Sequence, residues 1–324
     1  MKFLTIYNMV IPKYYYSSLQ VVRLFLLFCS MSLLRSLRSV FIVFLLLAGI
    51  CSYGQAPAVL EHTLLWKISG KDAQGTSYLF GTMHMICVDD YVWNTAMQKS
   101  FSASEKVCFE MDLDDPQVMM QVATGMIDQS GKKLKDYFTD VQYQLLKQYI
   151  KDSAGLDIAM FEQMKPIALQ TIMGFSQAGC TSQTSYEDSL SKTATQSGKE
   201  IIGLEDAREQ LDVLESLPTD SVIADIVSML NHTARQDETE YKALISAYTH
   251  QDLNTLYRLI SNSKSLGAEL PVFLDDRNKR WIPRMASKMK QSTVFFAVGA
   301  GHLAGPNGVI SLLRAAGYKV EAVK

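Results

Sequence analysis

Val294-Phe295-Phe296-Ala297-Val298-Gly299-Ala300-Gly301-His302 decides how the rest of the chain is read. Five apolar residues, rich in Phe and Val, predict a buried strand. The glycines that stop it let the backbone turn sharply, and a histidine follows at once. Much earlier, Ser77-Tyr78-Leu79-Phe80-Gly81-Thr82-Met83-His84 has the same form, an apolar strand running into Gly-x-x-His. Two strand-end histidines far apart in sequence predict one site on the rim of one sheet, where ligands bind in α/β folds.

Two more runs end in polar residues of ligand type. Lys106-Val107-Cys108-Phe109-Glu110-Met111-Asp112 predicts a strand closing on two carboxylates along one side of its pleat, and Lys199-Glu200-Ile201-Ile202-Gly203-Leu204-Glu205 closes on another. Leu64–Ile68 and Ser77–Phe80 predict a hairpin about the polar turn 69–75. Helices are expected over Tyr91–Ala103 and Gln117–Met126, over most of 134–190, and over most of 206–290. Thr139 and Gln142 form a capping box, with Phe138, Val141, Leu145 and Tyr149 at helical spacing, and Pro166 suits a first helical turn. A helix from about Asn307 should stop at Gly317, before an alternating edge strand over 318–323. The expectation is one α/β domain over 55–324, a central mixed sheet flanked by helices with a large helical insertion.

The front of the chain reads differently. Residues 1–54 hold five basic residues and no acid, and 40–50 is an uncharged apolar run of signal-peptide length. Cleavage is expected before Gln55, with Met31 an alternative start, so the chain is read as exported to the periplasm, cell surface or medium, with no membrane span after processing. A lipid anchor on Cys51 is disfavoured because Ile50 stands where a small residue belongs. Without the five leader bases, 26 Lys and Arg remain against 33 Asp and Glu, which argues against nucleic acid as a partner. In an oxidising compartment Cys87 and Cys180, both beside loops, are the expected disulfide, and Cys108 a buried thiol.

Two imidazoles and several carboxylates suit a divalent ion such as Zn, Mn, Co or Fe. The alternative is that each histidine caps a local turn. His62, His232 and His250 read as solvated surface. Arg277 and Arg280 serve either a substrate carboxylate or oxyanion or a charged helix face. No Gly-x-Ser-x-Gly, phosphate loop or His-Glu-x-x-His occurs.

Taken in order, Tyr78-Leu79-Phe80-Gly81-Thr82-Met83-His84, Glu110-x-Asp112, Gly203-Leu204-Glu205 with Glu209-Gln210-Leu211, Arg277-Asn278-x-x-Trp281, and Val298-Gly299-Ala300-Gly301-His302-Leu303 with Gly308 and Gly317-Tyr318 resemble the TraB/GumN family. That family includes the animal Tiki proteases. The resemblance spans about residue 60 to the end and implies an erythromycin-esterase/ChaN-like fold. It also implies a metal-dependent hydrolytic centre at His84, Glu110, Glu205, Arg277 and His302, with Glu187 an additional candidate. The expected roles are His84, His302 and Glu110 on the metal, Glu110 or Glu205 as general base, and Arg277 facing an oxyanion, with a peptide or protein substrate. The rival expectation is a non-catalytic protein that sequesters a peptide signal or haem on the same rim.

Overall fold

Leu65–Ser69 (β1) and Ser77–Thr82 (β2) form the expected antiparallel hairpin, Leu65 opposite Phe80 and Ile68 opposite Ser77. The computed structural model describes residues 59–324, apart from 177–179, 181, 232–233 and 264–268. The leader, the Gln55 junction, Cys51 and His232 lie outside the described residues. From the hairpin the chain continues through Ile86–Cys87 (β3), Thr95–Ala103 (α1) and Lys106–Phe109 (β4). The helices Pro116–Gly125 (α2), Asp140–Ala154 (α3) and Pro166–Ser176 (α4) follow. Gln183–Thr184 (β5) pairs with β3 as a separate two-stranded ladder. Next come Tyr186–Gln196 (α5), Glu200–Gly203 (β6), Ala207–Glu215 (α6), Thr219–Leu230 (α7), Ala234–Thr249 (α8) and Leu253–Ser261 (α9). A π-helical turn, Pro271–Asp275, runs directly into Asp276–Met289 (α10), then Val294–Gly299 (β7), Val309–Ala315 (α11) and Lys319–Ala322 (β8).

Six strands make one mixed sheet in the order β6-β4-β7-β2-β1-β8. β6, β4, β7 and β2 run parallel, and β1 is antiparallel to both its neighbours. The fold is a single α/β domain. β7 comes late in the sequence yet lies between β4 and β2. Its run Val294–Val298 is at most 1% exposed, as expected for a strand covered on both faces. Phe295 packs edge-on against Phe101 at 5.3 Å and Trp93 at 6.2 Å, which ties α1 to the sheet.

A second apolar core lies outside the sheet. Leu134, Leu146, Ile150, Leu169, Met173, Val222, Ile226 and Leu230 pack together, so the helical insertion is built from α3 and α4 with α7, which follows β6. Among the described residues no helix is long and apolar enough to cross a membrane.

Local chemistry accounts for the differences from expectation. α1 begins at Thr95 rather than Tyr91 because the Asn94 side chain accepts the Met97 N–H and caps the helix there. α3 starts at the Thr139 capping box, but it buries Leu146 and Ile150 and leaves Val141 71% and Leu145 42% exposed. The insertion core meets that helix one residue out of phase with the expected stripe. β4 stops at Phe109, before the acids. Beyond it the chain turns tightly past Gly203, where a Cβ would come within 2.6 Å of the Asp112 nitrogen. The turn separates Asp112 from Glu110, so the two do not share a strand face.

Candidate active site

Because β2, β4, β6 and β7 are parallel, their carboxyl ends share one edge of the sheet. His84 follows β2, Glu110 follows β4, Glu205 follows β6 and His302 ends a 3-10 turn after β7. α10 lays Arg277, Asn278 and Trp281, one buried face of the helix, against that edge. A cavity of about 500 Å³ opens beside them, with His84, Glu110, Glu187, Gln210 and Arg277 on its wall. Glu205 and His302 lie behind that wall, their side chains 0% and 5% exposed.

Arg277 is the hub. Its Nη2 donates to Glu110 Oε2 at 2.6 Å, and its Nε donates to Glu205 Oε1 at 3.1 Å and Oε2 at 3.2 Å. Nη2 also donates to Glu205 Oε1. Nη1 donates to the Phe273 carbonyl at 3.3 Å and lies 3.2 Å from His302 Nε2. Trp281 Nε1 donates to Glu205 Oε2 at 3.1 Å. Glu205 therefore has both oxygens engaged and fixes the guanidinium, while Glu110 reaches the cavity. Glu110 Oε1 accepts the Gly299 N–H at 2.8 Å. Burial works against its charge, but Arg277, His84 and that N–H outweigh burial and hold the carboxyl far below the usual range.

Asn278 sets the state of His302. Its Nδ2 donates to the His302 and Asn307 carbonyls at 3.2 and 2.9 Å, so its Oδ1 is the atom facing His302 Nδ1 at 2.7 Å. His302 therefore carries its proton on Nδ1 and offers a lone pair at Nε2. Burial and the adjacent guanidinium, against Glu110, push its pKa down to about 3. Trp281 packs against the ring at a tilt, with centroids 4.4 Å apart.

His84 is in the opposite state. Its Nδ1 lies 3.2 Å from Glu187 Oε1, which also accepts from Thr82 Oγ1 at 2.7 Å. Its recessed position works against the charged form, but Glu187, with help from Glu110, raises the pKa to about 9. The side chain is 60% exposed to the cavity, so water screens this pair more than the sealed Arg277 cluster. β3 and β5 pair just beyond His84 and just before Glu187, and Cys87 is joined to Cys180 with Cα atoms 6.0 Å apart. Cys108 is buried and free, its pKa pushed up to about 12 by burial.

Not every nominated residue joins the site. Arg280, 42% exposed, pairs with Glu209 at 3.6 Å on the outer surface. Asp112 interacts with Asp114, and burial together with that neighbour raises its pKa to about 6. His62 and His250 are exposed, as expected for surface histidines, and His62 lies 3.8 Å from Asp252. Asn278 and Trp281 carry roles that residue types alone do not announce. Their signal was spacing, since 277, 278 and 281 share one face of a helix.

Residues 64–322 match the sequence pattern of the TraB/PrgY/gumN family over most of the chain. The chain belongs to that family. Among curated proteins it is similar to "Metalloprotease TIKI2" of Danio rerio, 24% identical over 80% of this chain and 61% of that protein. "Metalloprotease TIKI2" of Xenopus tropicalis is 26% identical over 80% and 60%, and "Metalloprotease TIKI1" of Homo sapiens 24% identical over 80% and 62%. The chain thus spans about three-fifths of the length of these relatives. No solved structure matches it.

Such relatives imply a metal, and the donor chemistry here fits one. His302 has a lone pair at Nε2, with Nδ1 backed by an oxygen in the manner of a ligating histidine. Glu187 backs His84 Nδ1 in the same way, and binding an ion there would release the His84 proton. Glu110 is anionic. Among the described residues, however, no three His, Cys, Asp or Glu side chains stand in a ligating array. Arg277 is the cation that Glu110 and His302 share.

Proposed function

We propose that this chain is an exported, metal-dependent hydrolase of peptide or protein substrates. The buried Arg277 junction on the cavity wall carries the enzymatic part of that reading. A guanidinium shared by two carboxylates and an imidazole is a poor device for stability, since desolvating the charges offsets their attraction. Perturbed charges gathered at a cavity wall are characteristic of catalytic sites. The relatives named metalloproteases support the choice of reaction.

Each residue has a part in this reading. Arg277, held rigidly by Glu205, gives the wall a fixed positive charge for a developing oxyanion. Glu110 and His84 face the substrate across the cavity, the first as an anion and the second oriented by Glu187. His84, His302 and Glu110 are the residues that would hold the ion, and ligation by His302 would compete with its hydrogen bond from Arg277. A divalent ion there would supply Lewis acidity to water and to a carbonyl.

The test is cleavage of a peptide library with and without chelator, with metal analysis of the wild type and of His84→Ala, His302→Ala and the double variant. Cleavage should vanish with chelator and return with added Mn, Zn, Co or Fe. Either single substitution should remove most activity, and the pair little more, as for groups that act as a unit. Undiminished cleavage after the metal is stripped would overturn the metal requirement. Full metal content in both single variants would overturn the assigned ligands.

A further inference from the structure

We infer that the cavity beside His84, Glu110 and Arg277 is a specificity pocket for a bulky, uncharged apolar residue of a peptide, gripped by Met126, Leu214 and Phe273. This rests on the hydrolase reading above and names the substrate class within it. These three side chains line the cavity, are half-buried, and pack into neither of the two apolar cores. They come from three separate places: the end of α2, the last turn of α6 and the π-helical turn before α10. Three separate elements thus present apolar surface to water at the one place where the polar groups converge. Met85 and Met111 extend the same lining, and flexible thioethers adapt to guests of different shape.

The charges on the wall sharpen the choice. Arg277 is already bound to Glu110 and Glu205, and Glu187 is bound to His84. A lysine or aspartate of the substrate would lose water there and meet only charges already paired, whereas a leucine or phenylalanine would gain contact on several sides. About 500 Å³ falls within the usual range of ligand sites, roughly 300–1,000 Å³, and leaves room for a stretch of backbone beside one large side chain.

The experiment uses the full chain and capped, fluorescein-labelled peptides Ala-Ala-Xaa-Ala-Ala, with Xaa as Leu, Phe, Asp or Lys. Anisotropy reads binding, and kcat/KM is measured in parallel. The Leu and Phe peptides should bind on the order of 10- to 100-fold more tightly than the charged pair, the range that burial of one large apolar side chain supports. Leu214→Asp should abolish the preference. Leu214→Trp, which narrows the cavity without adding polarity, should keep an apolar preference but move it from Phe towards Leu. Circular dichroism melts show that each variant is folded, and Leu214→Trp decides the matter if Leu214→Asp is not. Equal binding of all four peptides, binding of none, or a preference untouched by the folded variants would overturn the inference. Cleavage without preference would remove this inference and leave the hydrolase. Selective binding without cleavage would do the reverse.

Discussion

Arg277 concentrates the cost of the site in one side chain. It is 7% exposed and neutralises two carboxylates, one of them wholly enclosed. Arg277→Met would keep much of its volume and leave Glu110 and Glu205 buried without a counter-charge. Removing one partner of a buried ion pair costs about 3–5 kcal/mol, so urea unfolding should show a loss of that size. Glu205→Gln, which leaves the guanidinium with Glu110, should lose less. A loss under 1 kcal/mol for Arg277→Met would mean that water or a neighbour takes over its role. Residue types already pointed to this side chain, but only level with Arg280. Helix phase separates them: Arg277 shares the inward face with Asn278 and Trp281, and Arg280 points out to Glu209. Phase depends on which face the sheet covers, which residue types do not state.

At the level of elements, two cross-links hold the site's walls. Arg284 on α10 donates to both oxygens of Glu209 on α6, at 2.7 and 2.8 Å. The Arg284 hydrogen bonds lower the Glu209 pKa. A carboxylate depressed on folding adds stability above its unfolded pKa, about 4.3, and loses it as pH falls through the folded value. Glu209→Gln should therefore cost roughly 1 kcal/mol or less at pH 7, since the pair is partly solvated. The melting curves of variant and wild type should converge as pH falls below about 4. Persistence of the gap at pH 3 would locate it in packing rather than charge.

The other link is the Cys87–Cys180 bridge, which closes a separation of 93 residues. A loop of that size gives about 4–5 kcal/mol in the chain-entropy account, so Cys87→Ser with Cys180→Ser should lower the melting temperature clearly. The sequence predicts the pairing from two loop-side cysteines, with nothing to tie it to the site. The β3–β5 ladder beside it shows more: the linked strands deliver His84 and Glu187, so the double variant should also turn over substrate more slowly at temperatures where it is fully folded. Unchanged turnover there would return the bridge to a structural role. Strands of two residues such as β5 carry no periodicity to read, which is why this connection was not legible.

Across the whole molecule, the four rim positions were legible because each ligand-type residue follows its own apolar strand in sequence. The order of the strands was not, since pairing between distant segments leaves no local pattern. That order bears on how the chain comes to be folded as it is made. β7 slots between β2 and β4, and β8 pairs with β1, so residues 294–322 complete a sheet whose other strands were synthesised long before. Until residue 294 emerges, β2 and β4 each expose an unpaired edge of the kind that recruits other chains. Contacts so distant in sequence form slowly. A nascent chain halted at Ser292 should be digested by protease throughout, whereas the chain through Lys324 should resist, and early resistance of the 65–110 segment would show that the first strands can fold without β7. Glu110 can meet Arg277 once the helix that carries it is made, but gains the Gly299 N–H only after β7 has followed. The rim of the cavity is thereby left unfinished until β7 is in place.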